Sequence, residues 1–403
     1  MRLVLSQNDV TGNILYFRTN CGIMPMALSP FFACVMESGQ APFPDPQRKE
    51  ANSMEQKRVT IYDIAKEAGV STATVTRVMA GHASVRPATR AKVQRVIDNY
   101  GYTPSAIAQD LENGQNKTIG IILPEVINPY FAQLFAAADD EARHNGYSVW
   151  LYQLPSDESI ERTVVDELIR RRLEGAFFAG GIWETDRPGM TEALHRLGKY
   201  MPIVAICPPR ADLACICLYN DLVSCVSHAV RHLHTLGHQR IAFIGGSTQV
   251  GGSGARGHGF LEELRALGLP DDPAYHHEGG FDAESGERAV LRLLSGLERR
   301  RWPTALVAFN DLVALGAMKQ LKQMGLKLPE DMAIIGCDNQ FFCPYTDPPL
   351  TSMDLHPEEH ARSAIRELLS AKENHTKPFT LMRDATLVVR ESCGAKLGYR
   401  KLD

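Results

Sequence analysis

No run of apolar residues in this sequence is long enough to cross a bilayer, which argues against an integral membrane protein. Nor is there a surplus of charge: 43 Lys and Arg against 47 Asp and Glu leave a formal net charge of −4, too little to mark the whole chain for a polyanion. The nine cysteines are an odd number without a regular framework, as expected of free thiols in a reducing compartment. Cys215 and Cys217, with Cys207 and Cys225 nearby, have metal-ligand character, but the strand-like apolar context around Cys207 favours buried thiols. Enzyme signatures are missing too. Neither Ser247 nor Ser253 stands in G-x-S-x-G, and the pairs His228/His232 and His234/His238 lack a third ligand. GSGARG at 252–257 satisfies G-x-G-x-x-G, but residues 245–251 separate it from its strand and no acidic residue ends a following strand at the right distance. These absences point away from catalysis, and from any metal or cofactor.

What is there is unevenly distributed. A chain of 403 residues divides into two or three domains, since a single core rarely grows beyond about 250 residues. Between 54 and 104, eight Lys and Arg face four Asp and Glu, a local +4, whereas 1–53 balances to zero and the remainder carries −8. Any polyanion therefore meets 54–104. Residues 1–53 hold no sustained periodicity and are read as an extension without an assigned fold, either a disordered tail or a start set upstream of the true one. The apolar patch at 23–36 begins too far from the N-terminus for a signal-peptide core.

From Val59 the pattern sharpens. Ile61, Ile64, Ala65 and Ala68 fall at i, i+3, i+4, i+7 behind Thr60-x-x-Asp63, a capping-box start, and Gly69 ends the helix. Ser71 caps a second helix with Val75, Val78 and Met79 inward; a third runs from Pro87 with Val93, Val96, Ile97 and Tyr100 inward. Three short helices with a tight glycine-containing first turn make a helix-turn-helix candidate. The second helix leaves Thr72, Ala73, Thr76 and Arg77 opposite its buried stripe, side chains short enough for close approach to the major groove plus one bidentate fork. Ser71 joins this face, and Tyr62 and Tyr102 suit phosphate contacts.

Beyond Lys117, short apolar runs at 119–123, 148–152, 176–179, 203–206, 241–245, 305–309 and 333–336 alternate with amphipathic helices. That is the pattern of βα units with parallel sheets, and so many strands fit two α/β lobes with a cleft between them.

The segments VTIYDIAKEAGVSTATVTRVMAGH (59–82) and GYTPSAIAQDLENG (101–114) closely resemble the head of the lactose-repressor (LacI/GalR) family. The resemblance continues through NPYF (128–131), LGHQRIAFIGG (236–246), RGHGFLEEL (256–264), the long segment 309–339 and VRESC (389–393), covering essentially everything after Met54. It implies a sequence-specific, DNA-binding transcriptional regulator, a repressor, with a helix-turn-helix domain at 54–104 and a hinge helix and linker at 105–117. An effector-binding and dimerisation domain follows at 118–393, its first lobe at 118–220 and 350–383, its second at 221–349 and 384–393, before a tail at 394–403. Leu111 is the implied wedge into the minor groove. In the two-lobed domain, ligands bind at the carboxyl ends of the strands. There the first strand's loop carries Asn128 and Phe131, the resemblance places Arg256, Asn310 and Asp338 as hydrogen-bonding groups for an effector, and Phe281 is available as an apolar wall.

The chain departs from the family pattern in places. Asp110 and Glu112 put negative charge into the hinge, Ala80-Gly81 stands where Asn-Gly is frequent, and Arg86 replaces a small capping hydroxyl, which weakens the cap of the third helix. Only ten residues follow Cys393, too few for a tetramerising coiled coil, so the expected state is a cytoplasmic homodimer on a near-palindromic duplex, controlled by a small molecule such as a sugar or sugar derivative. The competing classes are a periplasmic-type ligand-binding protein without DNA regulation and a nucleotide-dependent enzyme.

Overall fold

The computed structural model describes residues 14–19, 22–27, 59–79, 81, 84–102, 116–153, 158–180, 190–209, 215–246, 251–374 and 377–395. Contacts divide the chain into the units Met1–Pro104 and Ser105–Asp403.

The first unit begins with a hairpin that the sequence reading of 1–53 did not assign. Strands β1 (Ile14–Thr19) and β2 (Gly22–Ala27) pair antiparallel, from Ile14 opposite Ala27 to Thr19 opposite Gly22. The overlooked signal is a β-branched and aromatic run, ILYFRT, set two residues before a second apolar run. The head follows as α1 (Ile61–Ala68), α2 (Thr72–Met79) and α3 (Pro87–Tyr100). Its core is Ile64, Ala65, Ala68, Val75, Val78, Val93 and Val96, with Met79 and Ile97 half-buried against it. Tyr100 corrects an expectation. It lies outside this core, and its phenol donates to Glu67 on α1, because a hydroxyl with a carboxylate in reach gains more at the rim than inside.

The second unit holds two six-stranded sheets. In the first lobe the order is β13-β7-β6-β5-β3-β4, every neighbour parallel. Its strands are β3 (Thr118–Leu123), β4 (Ser148–Gln153), β5 (Gly175–Ala179), β6 (Ile203–Ile206), β7 (Ile216–Asn220) and β13 (Thr380–Arg383). Ile119, Ile121 and Leu123 face α4 (Pro129–His144) and α11 (Pro357–Asn374), whereas Ile122 and Phe178 face α5 (Glu158–Arg170) and α6 (Met190–Leu197). Burial on both faces explains why these strands read as unbroken apolar runs.

The second lobe repeats the plan in the order β14-β12-β11-β10-β8-β9, parallel except for β14 (Thr386–Val388) against β12 (Thr351–Asp354). The other strands are β8 (Ile241–Ile244), β9 (His276–His277), β10 (Ala305–Ala308) and β11 (Ala333–Cys337). One face is covered by α7 (Leu222–Thr235) and α8 (Gly251–Ala266), the other by α9 (Ala283–Ser295) and α10 (Asp311–Gln323). Helices α9 and α10 meet backbone to backbone: a Cβ on Gly316 would lie 1.8 Å from the Ala283 carbonyl oxygen, and one on Gly286 2.0 Å from that of Val313.

The return to the first lobe was expected at 350, yet β12 pairs with β11 and moves it beyond Asp354. The strand was hidden by its polarity. Thr351 and Ser352 are fully buried, with the Ser352 hydroxyl donating to Asp311 Oδ1 at 2.6 Å and the Arg390 N–H to Thr351 Oγ1 at 2.8 Å. The chain thus passes between the sheets after β7, after β12 and between β13 and β14. Asn220 Nδ2 donates to the Arg383 carbonyl at 3.0 Å, and His356 Nε2 lies 2.8 Å from Thr386 Oγ1, so each fastens one passage to another. Ser392, fully buried, closes the second sheet by donating to the Ile334 carbonyl at 2.7 Å and accepting from Thr351 N–H at 2.8 Å.

Candidate functional site

Two places concentrate polar side chains without a structural explanation in full: the outer face of α2 and the strand ends of the second unit. In the head, α1 is fixed by a complete capping box, Thr60 N–H donating to Asp63 Oδ2 at 2.9 Å and Asp63 N–H to Thr60 Oγ1 at 3.4 Å, and by Gly69 in the left-handed region at φ +62°. Ser71 starts α2 by accepting from Thr74 N–H at 3.3 Å. With Val75 and Val78 buried beneath, Ser71, Ala73 and Arg77 are exposed and Thr72 and Thr76 half-buried on the far side. The Thr76 hydroxyl donates to the Thr72 carbonyl at 3.2 Å. Tyr62 is 73% exposed, whereas Tyr102 packs against the core, so only the first is wholly available to a partner. Arg86 makes no side-chain cap for α3, as the sequence led one to expect. An open hollow between α2 and α3 is lined by Ser71, Thr74, Arg77, Ser84, Arg86 and Thr89 over two valines. Leu111 and the rest of the hinge, Asp110 and Glu112 included, lie outside the described residues, as does Ala80.

In the second lobe, the carboxyl ends of β8, β10 and β11 bring together Arg256, Phe281, Asn310 and Asp338. Arg256 is buried, its guanidinium 4.2 Å from the centre of the Phe309 ring and its Nη2 3.5 Å from Asp338 Oδ1; its Nε has no hydrogen-bond partner among the described residues. Gly246 makes room for that stack, since a Cβ there would lie 2.3 Å from the Phe309 ring. Phe281, half exposed, extends the wall with its ring 5.0 Å from Phe309. Asn310 is occupied: its Oδ1 accepts from Val313 N–H at 2.8 Å as the N-cap of α10, and its Nδ2 donates to the Phe281 carbonyl at 2.9 Å. It shapes the wall rather than reaching past it.

Burial pushes the Asp338 carboxyl up to about 8 against the pull of Arg256, and the negative fields of Asp311 and Asp354 add to the rise. Burial works against the charge of Arg256 as well, but neighbouring acidic groups, Asp338 among them, outweigh it and raise its pKa, so the guanidinium stays charged. Asp338 at φ +107° and Asn339 at φ +50° are successive non-glycine residues with left-handed backbone, a conformation of about 1–3 kcal/mol each that persists where the surroundings enforce it. The enforcement is visible. Asn339 donates to Asp354 Oδ2 at 3.0 Å and accepts from Arg390 at 2.7 Å, and buried Asp311 accepts from Gln340 N–H at 2.7 Å.

On the first lobe, Asn128 caps α4 by accepting from Tyr130 N–H at 3.1 Å, and Phe131 lies half-buried over Gly180 at the end of β5. Tyr130, which residue type alone did not single out, packs against the cores of both lobes. Phe309 was missed because it reads as the last residue of a strand run. The thiols of Cys207, Cys215 and Cys217 cluster in the first core, 3.8 Å from Cys207 to Cys217 and 3.7 Å from Cys215 to Cys217, while Cys225 lies by Cys337 in the second. The neighbouring thiols of Cys215 and Cys217, with burial added, push the Cys207 thiol far up, and no group of three or more ligands among the described residues could hold a metal ion.

Comparison with known proteins bears on both regions. Residues 60–105 match the family model "Bacterial regulatory proteins, lacI family", and residues 230–393 match "Periplasmic binding protein-like domain". The chain is 30% identical over 337 residues to the HTH-type transcriptional repressor CytR of Escherichia coli (strain K12), covering 83% of this chain and 96% of that one. Among solved structures it is similar to the lac repressor dimer bound to operator and the anti-inducer ONPF, with TM-score 0.73, 26% identity and coverage of 84% and 99%. It is also similar to the transcriptional regulator CelR in complex with cellobiose, with TM-score 0.62, 26% identity and coverage of 83% and 100%.

Proposed function

Since this chain belongs to the lacI family of bacterial regulatory proteins, we infer that it is a DNA-binding transcriptional repressor whose hold on an operator is set by a small molecule in the two-lobed unit. The observation that carries the reading is the outer face of α2: short side chains and Arg77 stand on a helix that buries Val75 and Val78 on its opposite side, in a segment, 54–104, with a local balance of +4. Thr72, Ala73, Thr76 and Arg77 read base edges; Ser71 and Tyr62 hold phosphates, with Tyr102 supporting the head from within; Leu111 acts as the minor-groove wedge.

The effector is a sugar or sugar derivative. A buried guanidinium and a buried carboxyl offer hydrogen bonds to hydroxyls, and Phe309 with Phe281 offers an aromatic wall to the apolar face of a ring. Asn128 and Phe131 close the site from the first lobe. Effector binding shifts the balance of lobe arrangements, and this bears on the two hinge segments of a homodimer; coupling of about 1–3 kcal/mol is usual for such linkage. Exposed Phe341 and Tyr345, on the loop after β11, supply apolar surface that a second subunit would cover. This is a cytoplasmic function with no catalytic step, and no described helix is long and apolar enough to cross a membrane.

Selection from random-sequence duplexes, followed by mobility shift with and without a panel of sugars, sugar acids and polyols, tests the reading. A near-palindromic consensus released or tightened by one of them is the expected result. No preference over bulk duplex, with or without the panel, overturns it.

A further inference from the structure

The hollow between α2 and α3 is lined by two arginines and four hydroxyls, with no carboxylate among its lining residues. The described acids of the head are engaged away from it: Asp63 with Thr60 in the capping box, Glu67 with Tyr100, and Asp98 with Gln94 at 2.9 Å. Arg77 and Arg86 are both exposed, and neither is paired with a carboxylate among the described residues. Two long cationic side chains converging on a polar hollow without a counter-ion leave it short of negative charge. The hydroxyls offer hydrogen bonds to oxygens, and a planar guanidinium matches a tetrahedral oxyanion.

Arg86 is the unusual member. It takes the position from which a small hydroxyl would cap α3, and its side chain makes no cap. Resting on the DNA-binding reading, we propose that this exchange trades a helix cap for an added backbone contact: the hollow receives one phosphate of the duplex, clamped by Arg86 with the hydroxyls of Ser84 and Thr89, while Arg77 at its rim stays turned to the bases. The contact is to backbone and blind to sequence. It raises affinity for every duplex equally, in a head whose net charge is small.

Fluorescence anisotropy of the full chain on a short random-sequence duplex, with KCl stepped from about 50 to about 200 mM, reads the number of phosphates neutralised. Arg86→Gln, which keeps length without charge, and Arg86→Ser, which restores the small hydroxyl, are expected to lower the log–log salt slope by about 0.9 for each head bound. The loss should be the same factor on random and on selected duplexes, and Arg86→Lys should keep the slope. An undiminished slope in Arg86→Gln overturns the phosphate site, and so does a Ser variant that raises the melting temperature of the head without changing the slope. If wild-type protein binds no duplex at low salt, the DNA-binding reading itself fails. Arg86 is exposed and outside the core, so circular dichroism should give the same helix content for all three variants.

Discussion

The buried guanidinium of Arg256 stands 3.5 Å from the Asp338 carboxyl, at the outer limit of a hydrogen bond, while it stacks at 4.2 Å on Phe309. The pair is close enough to touch and loose enough to admit a third party. A ligand oxygen accepting from Arg256 Nε, which has no hydrogen-bond partner among the described residues, would complete the set.

Replacing Arg256 therefore affects binding more than folding. Arg256→Met keeps the apolar contact with Phe309 and removes the donors; affinity for any sugar hit should fall about 10–100-fold, as for hydrogen bonds to a charged group of about 1.5–3 kcal/mol. Titration calorimetry measures this directly. Unchanged affinity would place the ligand elsewhere.

The Asp338 carboxyl sets a pH dependence. Its pKa is pushed up to about 8 by burial, so the folded chain holds this proton more tightly than the unfolded chain, where the carboxyl has an ordinary value of about 3.9. The stability this contributes is complete below the ordinary range and is lost as pH rises through about 8. Asp311, pushed up to about 6 by burial against its bonds to Ser352 and Gln340, acts in the same direction at lower pH. The melting temperature of the effector unit should fall between about pH 4 and pH 8, and Asp338→Asn should flatten the upper part of that fall. A melting temperature that climbs over this interval would show the carboxyl to be ionised in the fold.

The contact between α9 and α10 admits no methyl group. With the Ala283 carbonyl 1.8 Å from where a Cβ would stand, Gly316→Ala forces the helices apart and should destabilise the unit by about 1–3 kcal/mol, read from the urea midpoint. Gly237→Ala meets no atom within 4 Å but has φ +94°, so it separates backbone strain from overpacking and should cost less.

Loss of the capping box should be felt only in the head. Thr60→Ala removes the side-chain acceptor at the start of α1 at a cost of about 1 kcal/mol. Hydrogen exchange should quicken across residues 61–68 and remain unchanged in residues 241–244. Uniform quickening across both segments would mean that the two units unfold together.

The parallel sheets were legible because strands buried on both faces are apolar throughout, and residues 203–206 illustrate this with Ile, Val, Ala and Ile. β12 was not, because its buried Thr351 and Ser352 are paid for by hydrogen bonds that residue type does not announce. Helix α2 was legible from the spacing of Val75 and Val78. Tyr100 was not, since helical period places it inward while Glu67, thirty-three residues earlier, draws its phenol to the rim. In the second lobe, the resemblance named Arg256, Asn310 and Asp338, which the structure brings to the same strand ends, but it gave no sign that Asn310 is occupied as a cap, a fact that lies in its bonds to Val313 and Phe281.

The fold also has a consequence for the order in which the chain is made. β13 completes the first sheet, while β14 and Ser392 close the second, so each lobe depends on a segment translated after all of its other strands. The head, by contrast, has all of its core by residue 96. On the ribosome, a finished DNA reader precedes an unfinished effector unit for nearly three hundred residues of synthesis, and both lobes must await the same late stretch of nascent chain.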